Sequence, residues 1–459
     1  MSRARSLFLV LLVWVAIYLP RLGTLEIKSE EGRRILPAVT MLKTGNYLVP
    51  QIGSEPYFRK PPLVNWLVAG SFKLFGVRNE WTARLPSVLC VLAVALAFVG
   101  LARGSLGGNG ALAAALMWLT CFGLLEKGRM IEIEALYVSL SALAFICWLS
   151  CWRNRRWLAW LGAGVFLGLG LLAKGPLNLF FFYAVALAVL WQARALKQLL
   201  SWPHLVGVLL MLGIFAAWAI PCLEMARTTH VAKVWSQQLT GRLGGDDFKF
   251  AHWILNIPRG IDYLLPWAVL LPFARFALVE DEIERRFCRG LSLGVAVPFV
   301  IVCLLPSALP RYTMPLLAAA IWLLAVFTRE HAFVWPRALR KAITGTVVAV
   351  VLAMLIYSLA LIPFLAKREK VRPLAVQLDA AIPPNESLYA VDPDYQPYLF
   401  YLHRRIVYVD RVADLPPGTP YILVRPENEQ AAKKRGARPV LRLKDYRGQR
   451  VVLLRGATL

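Results

Sequence analysis

Several motifs of common enzyme chemistry are absent from this sequence of 459 residues. It contains no Gly-x-x-x-x-Gly-Lys-Ser/Thr loop for nucleotide phosphates, and neither a His-Glu-x-x-His nor a Gly-x-Ser-x-Gly motif. We find no internal repeat, and the glycines between 162 and 170 have the spacing of helix packing rather than of a dinucleotide loop. Nothing in the sequence therefore argues for direct use of a nucleotide.

A disulfide framework is also missing, although the chain has seven cysteines. All of them except Cys288 fall in or beside apolar runs, where a cysteine acts as a small apolar residue. Cys147 and Cys151 share a helix face, but no nearby histidine completes a metal site. We therefore expect neither a disulfide nor a zinc site.

Apolar residues, by contrast, are abundant. The hydrophobic fraction of 58%, the 16 tryptophans and the mean hydropathy of +0.56 exclude an ordinary soluble enzyme. The net charge of +25 fits the basic cytoplasmic loops of a membrane protein and contacts with anionic lipid better than it fits nucleic acid. The composition therefore predicts a polytopic membrane protein.

A helix that crosses the hydrocarbon core needs about 20 apolar residues. This length predicts about eleven spans, near 6–22, 82–102, 109–124, 132–152, 156–173, 177–193, 203–222, 261–278, 290–306, 311–328 and 339–365. No small-residue cleavage site follows the first span, so we interpret it as an uncleaved anchor.

The positions of Arg and Lys predict the orientation. With the N-terminus in the cytoplasm, the basic clusters at 153–156, 194–197, 285–289 and 329–341 all fall on the cytoplasmic side, and an odd number of spans places the C-terminus outside. The acidic residues then lie in outer loops at 23–81, 125–131, 174–176 and 223–260. The last of these loops is polar enough to fold over a cavity.

The composition changes at about residue 366. Short apolar runs bounded by turn residues predict strands at 387–391, 406–409, 421–424 and 451–454, with helices near 371–381 and 427–435. We therefore predict a membrane domain over 1–365 and a small extracytoplasmic α/β domain over 366–459.

The first outer loop concentrates charge. Glu30-Glu31-Gly32-Arg33 precedes an amphipathic segment at 35–42 that suits an interfacial helix, and a second such helix is expected around Trp66 and Phe72. Tyr57-Phe58-Arg59-Lys60-Pro61-Pro62 lies between them. A solvated loop would explain most of these charges, but for Glu30, Glu31 and Lys60 we favour a functional role.

Three further outer segments bring charges to the same face. Glu134 follows Arg129 by five residues and begins an apolar helix, where a carboxylate is costly unless it faces a polar cavity and a partner. Lys174-Gly175-Pro176 and Arg311-Tyr312 each stand beside a span. Each of these residues also has a purely structural explanation. Glu134 would be favourable at a helix N-terminus, Lys174 would extend its charge to the membrane interface, and Arg311 would anchor its helix.

Carboxylates and cations at one membrane face suit a sugar donor linked to a lipid phosphate. Breaking the glycosyl-phosphate bond builds negative charge on the phosphate, which cations or a divalent metal must stabilise. The carboxylates of Glu30 and Glu134 would suit Mg²⁺ or Mn²⁺, and an acceptor hydroxyl needs a carboxylate as general base.

In order along the chain, these motifs resemble those of bacterial membrane glycosyltransferases of the protein O-mannosyltransferase and lipid A aminoarabinose transferase superfamily. The matching elements are Glu30 to Arg33, Gly45 to Pro50, Tyr57 to Pro62, Arg129 with Glu134, Lys174 to Pro176 and Arg311 to Pro315. The resemblance covers about 1–330 and implies a mainly α, GT-C type helical bundle.

The resemblance also implies an activity. It is the inverting transfer of a sugar from a polyprenyl-phosphate carrier to lipid A, another glycolipid, a polysaccharide or a protein, outside the cytoplasmic membrane. The implied catalytic residues are Glu30, Glu31 and Glu134; Glu30 and Glu134 are also the implied metal ligands. The implied substrate-binding residues are Arg33, Tyr57, Lys60, Arg129, Lys174, Arg311 and Tyr312. We expect a monomer that binds no nucleic acid.

Two positions depart from the pattern of the superfamily. Glu30 and Glu134 stand where an aspartate is usual, and the extra methylene moves each carboxylate outward by roughly 1 Å. A lipid-linked substrate transporter or flippase and a noncatalytic lipid-binding relative are the alternatives. Transporters often contain internal repeats and polar residues at mid-membrane, whereas the charges here cluster at one face.

Overall fold

The computed structural model describes residues 1–53, 55–226, 248, 250–333 and 336–456. The chain forms two compact units. Unit 1 consists of Met1–Pro20, Arg59–Val64 and Leu85–Ser358, and unit 2 consists of Arg21–Phe58, Asn65–Arg84 and Leu359–Leu459. The predicted boundary at 365/366 stays a prediction, since unit 2 contains both the first-loop segments and the tail.

Unit 1 is helical. Its helices, two of which continue into unit 2, are Arg3–Tyr18, Leu63–Phe75, Glu80–Gly100, Arg103–Thr120, Phe122–Lys127, Ile133–Cys151, Arg156–Ala173, Leu177–Gln192, Trp202–Ala226, Phe250–Trp253, Asn256–Asp262, Glu282–Leu304, Leu317–Arg329 and Pro336–Ile356. Over the described ranges, seven helical segments are long and apolar enough to cross a membrane. The count of about eleven spans stays a prediction.

Glycines let two pairs of these helices approach closely. A Cβ on Gly164 would overlap the backbone oxygen of Gly207, in the helix Trp202–Ala226. A Cβ on Gly290 would lie 2.8 Å from the backbone oxygen of Ala188, in the helix Leu177–Gln192. The interpretation of the glycine spacing at 162–170 as helix packing is therefore confirmed at Gly164.

The predicted span at 261–278 is wrong. The helix Asn256–Asp262 ends there, and two short 3₁₀ segments, Trp267–Phe273 and Phe276–Leu278, follow it. Pro266 and Pro272 have no N–H to donate within an α-helix, which explains the break. Residues 227–247 of the loop expected to cover a cavity lie outside the described residues.

The tail in unit 2 folds around a five-stranded sheet. Its strands are β3 (Leu388–Val391), β4 (Ile406–Val409), β5 (Tyr421–Val424), β6 (Arg438–Lys444) and β7 (Arg450–Arg455), in the order β4-β3-β5-β7-β6. β3 is parallel to β4 and β5, whereas β7 is antiparallel to β5 and β6. The four predicted strands are confirmed, as are the helices near 371–381 and 427–435, observed as Val371–Ala380 and Pro426–Lys434.

The first-loop segments of unit 2 contain the two predicted amphipathic helices, Gly32–Thr44 and Leu63–Phe75, the second of which begins in unit 1. Between them, β1 (Gln51–Ile52) and β2 (Glu55–Pro56) form a short antiparallel hairpin. Gly45 ends the first helix in the left-handed conformation, with φ of 72°.

Candidate functional site

A carboxylate between two cations is the central feature of unit 1. Glu134 lies in the first turn of Ile133–Cys151 and is 7% exposed. Its Oε1 lies 3.1 Å from Nζ of Lys174, which directly follows the helix Arg156–Ala173. The same oxygen lies 3.3 Å from Nε of Arg311, in the 3₁₀ segment Pro310–Leu316. Three separate segments of the chain therefore place one carboxylate and two positively charged side chains together.

Two tyrosine rings border this cluster. Nζ of Lys174 lies 4.8 Å from the ring centre of Tyr312 and 5.3 Å from that of Tyr137, distances at which a cation is attracted to an aromatic face. The hydroxyl of Tyr137 donates to the backbone oxygen of Gly175 at 3.3 Å. Gly175 has φ of 123°, which a residue with a side chain rarely adopts, so this turn needs glycine after Lys174.

A second ionic group lies close to it in the chain. Lys127 contacts Glu126 at 2.9 Å and Glu132 at 3.3 Å. Glu126 is 40% exposed at its side chain, whereas Glu132 is buried. Lys127 carries one positive charge against two carboxylates, and Glu132 also interacts electrostatically with Arg311, so the two ionic groups are coupled.

The donor set around Glu134 does not fit a divalent metal. A Mg²⁺ or Mn²⁺ ion needs several oxygen ligands, whereas two fixed cations lie within 3.3 Å of this carboxylate. Within the described part of the chain, no three acidic, histidine or cysteine side chains group together as a metal site would require. A metal at Glu30 and Glu134 stays a prediction.

In unit 2 the adjacent carboxylates of the first loop have different surroundings. Glu31 is 1% exposed and accepts two hydrogen bonds from Arg84, from Nε at 2.9 Å and from Nη2 at 2.8 Å. Glu30 is 37% exposed at its side chain and contacts Arg33 at 3.2 Å and Arg34 at 3.7 Å. Glu31 is therefore enclosed in an ion pair, while Glu30 stays accessible.

Arg33 is held by the tail of the same unit. Its guanidinium lies 3.9 Å from the ring centre of Tyr395, a residue of the segment between β3 and β4. A Cβ on Gly32 would lie 2.5 Å from the backbone oxygen of Tyr395, so only glycine permits this approach. The hydroxyl of Tyr57 accepts a long hydrogen bond of 3.5 Å from Arg34, which links this predicted residue to Glu30.

Two other predicted substrate-binding residues belong to unit 1. Lys60 belongs to its segment Arg59–Val64 and is partly buried. Arg129 is 8% exposed and donates to the backbone oxygens of Ile17 and Pro20 and to the hydroxyl of Ser358. These contacts secure the end of the first helix, so we assign Arg129 to the fold.

The sequence reasoning missed a network that joins the first-loop segments to the tail within unit 2. Glu26 accepts three backbone N–H groups at 370–372, and Arg372 pairs with Glu80 at 2.5 Å. Tyr401 donates to Glu80 at 2.8 Å, and burial together with the Glu80 carboxylate raises the pKa of its hydroxyl, which stays protonated.

Arg84 was missed as well. Arg84 lies two positions after the start of the predicted span 82–102. A charged residue inside a span needs a partner, and this is the signal by which the sequence could have identified Arg84.

The chain is similar to several known proteins. A family described as dolichyl-phosphate-mannose-protein mannosyltransferase matches residues 59–220. Undecaprenyl phosphate-alpha-4-amino-4-deoxy-L-arabinose arabinosyl transferase 1 of Pseudomonas fluorescens is 28% identical over 325 residues, which are 69% of this chain and 58% of that protein. The corresponding transferase of Pseudomonas aeruginosa (strain UCBPP-PA14) is 29% identical over 335 residues, which are again 69% of this chain and 58% of that protein. The chain thus spans less than two thirds of the length of these curated relatives.

The structural comparison decides the fold. ArnT from Cupriavidus metallidurans, solved in the apo state and bound to undecaprenyl phosphate, superimposes with a TM-score of 0.72 at 18% identity, over 98% of this chain and 97% of that one. The chain has the GT-C fold. The predicted resemblance to the superfamily and the predicted multi-pass membrane character are confirmed.

Proposed function

We propose that this GT-C chain is a membrane glycosyltransferase that moves a sugar from a polyprenyl-phosphate carrier to a lipid of the cell envelope. The observation that carries the proposal is the carboxylate of Glu134 between Lys174 and Arg311, at the start of a membrane helix. Buried charge at such a place is costly, and a phosphate-handling site accounts for it.

The cations are suited to the departing phosphate. In the proposed reaction an acceptor oxygen forms a bond to the anomeric carbon, the bond from that carbon to the phosphate oxygen breaks, and the carrier phosphate leaves with the electron pair. Lys174 and Arg311 would stabilise the negative charge that develops there. Glu134 keeps both side chains in place through its two ion pairs.

The acceptor proton needs a base. We propose Glu30 for this role, because it is an accessible carboxylate of the first loop and its ion pairs with Arg33 and Arg34 orient it. Glu31 is paired with Arg84 and is assigned to the fold. The partly exposed ring of Tyr312 would offer a flat surface to the sugar ring, whereas Tyr137 is 1% exposed and holds Lys174 in place.

The relatives suggest the donor. The names of the matched proteins specify undecaprenyl phosphate and 4-amino-4-deoxy-L-arabinose, so we propose this sugar on this carrier first, and a lipid acceptor such as lipid A. In the proposed orientation the N-terminus is cytoplasmic, and the Glu134 cluster and the tail face outward from the cytoplasmic membrane.

The test is transfer in proteoliposomes. Purified protein is incubated with a panel of radiolabelled polyprenyl-phosphate sugars and with extracted envelope lipids, polysaccharide or protein as acceptors. Carrier-dependent labelling of a lipid supports the proposal, and labelling of polysaccharide or protein alone contradicts the acceptor class. Donor binding without labelling from any donor would favour the transporter or lipid-binding alternative.

A variant makes the assay specific. Glu30→Gln keeps the size of the side chain and removes the base, so we expect loss of transfer with an unchanged melting temperature. Transfer at the wild-type rate by this variant would remove Glu30 from the mechanism.

A further inference from the structure

A basic cavity lies in unit 1 at the end of the helix Leu177–Gln192, far from the Glu134 cluster. Lys174 stands three residues before this helix, and the cavity begins at its last residues. Sixteen helical residues at 1.5 Å each separate the two ends by about 24 Å. The cavity is therefore a separate site near the opposite membrane face.

Three cations line this cavity. Its volume is about 480 Å³, and it is lined by Trp191, Gln192, Arg194, Leu196, Lys197 and Arg286. Arg286 is paired with Glu282 at 2.9 Å. Arg194 and Lys197 are exposed and, among the side chains that the structure describes, neither forms an ion pair with a carboxylate. The cavity thus holds excess positive charge.

The helix packing beneath the cavity is tight. Gly290 and Gly294 of Glu282–Leu304 let that helix meet Leu177–Gln192, and a Cβ on Gly294 would lie only 2.6 Å from Cα of Val185. Because the two helices cannot shift easily, the distance between Arg286 on one and Arg194 beyond the other is set by the fold.

The surroundings of the cavity are apolar and exposed. Trp191 is 60% exposed, Trp202 is 74% and Leu200 is 82%. Exposed tryptophan and leucine beside arginine and lysine are typical of the level where lipid headgroups meet the hydrocarbon. The cavity therefore opens where headgroups lie.

We propose that this cavity binds the headgroup of an anionic phospholipid of the surrounding bilayer. A phosphate diester offers oxygens to Arg194, Lys197 and Arg286, while Trp191 and Leu196 contact the glycerol and the start of the acyl chains. Basic pockets between membrane helices on the cytoplasmic side bind phospholipid headgroups in this way. The volume lies within the range of small-ligand sites, about 300–1,000 Å³.

The experiment compares lipid binding by matched double variants. Full-length protein in detergent is titrated with phosphatidylglycerol or with phosphatidylcholine of the same chains, and bound lipid is counted by native mass spectrometry. We expect the wild type to prefer phosphatidylglycerol and Arg194→Gln with Lys197→Gln to lose about tenfold or more of that affinity, since each cation near a membrane contributes to the attraction of anionic lipid.

The control removes the same charge elsewhere. Arg155 and Arg156 are exposed and stand at the start of the helix Arg156–Ala173, whose other end leads to Lys174, so they belong to the same end of the bundle but not to the cavity. Arg155→Gln with Arg156→Gln should keep the affinity within about twofold. An equal loss in both double variants, or equal binding of phosphatidylcholine by the wild type, would overturn the proposal.

Two further experiments complete the test. The first distinguishes a lipid headgroup from free phosphate as the ligand, and the second applies if the double variant misfolds. Inorganic phosphate at millimolar concentration should not displace the lipid; displacement would mean a site for free phosphate instead. If the double variant does not fold, Lys197→Gln alone should lower the affinity by a few-fold, and no change would contradict the proposal. Sugar transfer is not needed for either result, so the proposal stands or falls independently of the proposed function.

Discussion

Glu31 in unit 2 and Glu134 in unit 1 are both buried carboxylates, yet their partners differ in kind. Glu31 meets one arginine in a two-bonded pair, and the remaining N–H groups of Arg84 donate to the backbone oxygens of Leu22, Leu25 and Glu26. Glu134 instead meets two cations from two segments, and Arg311 is 36% exposed at its side chain. A closed pair holds the loop together, while an open cluster keeps cations available to a ligand.

The largest expected effect follows from breaking the open cluster. Lys174→Met and Arg311→Gln should each lower kcat/KM for the lipid-linked donor by about 10²–10³-fold, because each removes a charge that would face the departing phosphate in the proposed reaction. The measurement is initial transfer rate against donor concentration in proteoliposomes.

The neighbouring ion group provides the control for that experiment. Lys127→Gln removes a cation that serves Glu126 and Glu132, so transfer should change less than about threefold. An equal loss with Lys127→Gln would mean that general charge, rather than the Glu134 cluster, supports the activity.

Breaking the closed pair should affect stability instead. Glu31→Gln leaves Arg84 buried without its countercharge, and the loss of one partner of a buried ion pair costs about 3–5 kcal/mol. We expect a lower melting temperature or poor yield in detergent. Glu30→Gln, one residue away and accessible, should melt near the wild type; equal melting of the two variants would contradict the distinction between them.

A smaller effect should follow from the tail. Tyr395→Ala removes the ring over which Arg33 lies at 3.9 Å, an interaction worth roughly 0.5–2 kcal/mol. We expect a KM for the donor a few-fold higher with an almost unchanged kcat. Tyr395→Phe keeps the ring and should behave as the wild type, whereas a defect in Tyr395→Phe would implicate the hydroxyl and its contact with Arg447.

The smallest effect should come from removing divalent metal. Because Lys174 and Arg311 already provide positive charge at Glu134, EDTA should leave the transfer rate within about twofold. Loss of transfer with EDTA, restored by Mg²⁺ or Mn²⁺, would show that the cations do not suffice and would support the metal predicted at Glu30 and Glu134.

Much of the fold was predictable because its signals are local. Apolar runs predicted the long helices, short apolar runs bounded by turn residues predicted β3, β4, β5 and β7, and glycine spacing predicted close helix packing. The strand β6 was not predicted, since its exposed residues are mostly charged and it contains Pro439. The break after Asp262 was missed because hydropathy alone does not register proline.

The candidate site was predictable in its residues but not in its pairings. The sequence singled out Glu134, Lys174 and Arg311 separately. Lys174 follows Glu134 by 40 positions and Arg311 follows Lys174 by 137, so only the folded chain places both cations on one carboxylate. The opposite holds for Glu31, whose partner Arg84 was hidden in an apolar span. Adjacent acidic residues look equivalent in a sequence, and burial separates them.

The role of the Glu134 cluster is tested most directly by the transfer rate of Glu134→Gln beside the wild type in the same proteoliposomes, with the melting temperature measured on the same preparations. We predict transfer at least about 100-fold slower, because the cations would lose the carboxylate that holds them, and melting lowered less than by Glu31→Gln, because Arg311 is 36% exposed at its side chain. Wild-type transfer by Glu134→Gln would contradict the assignment of this cluster to catalysis.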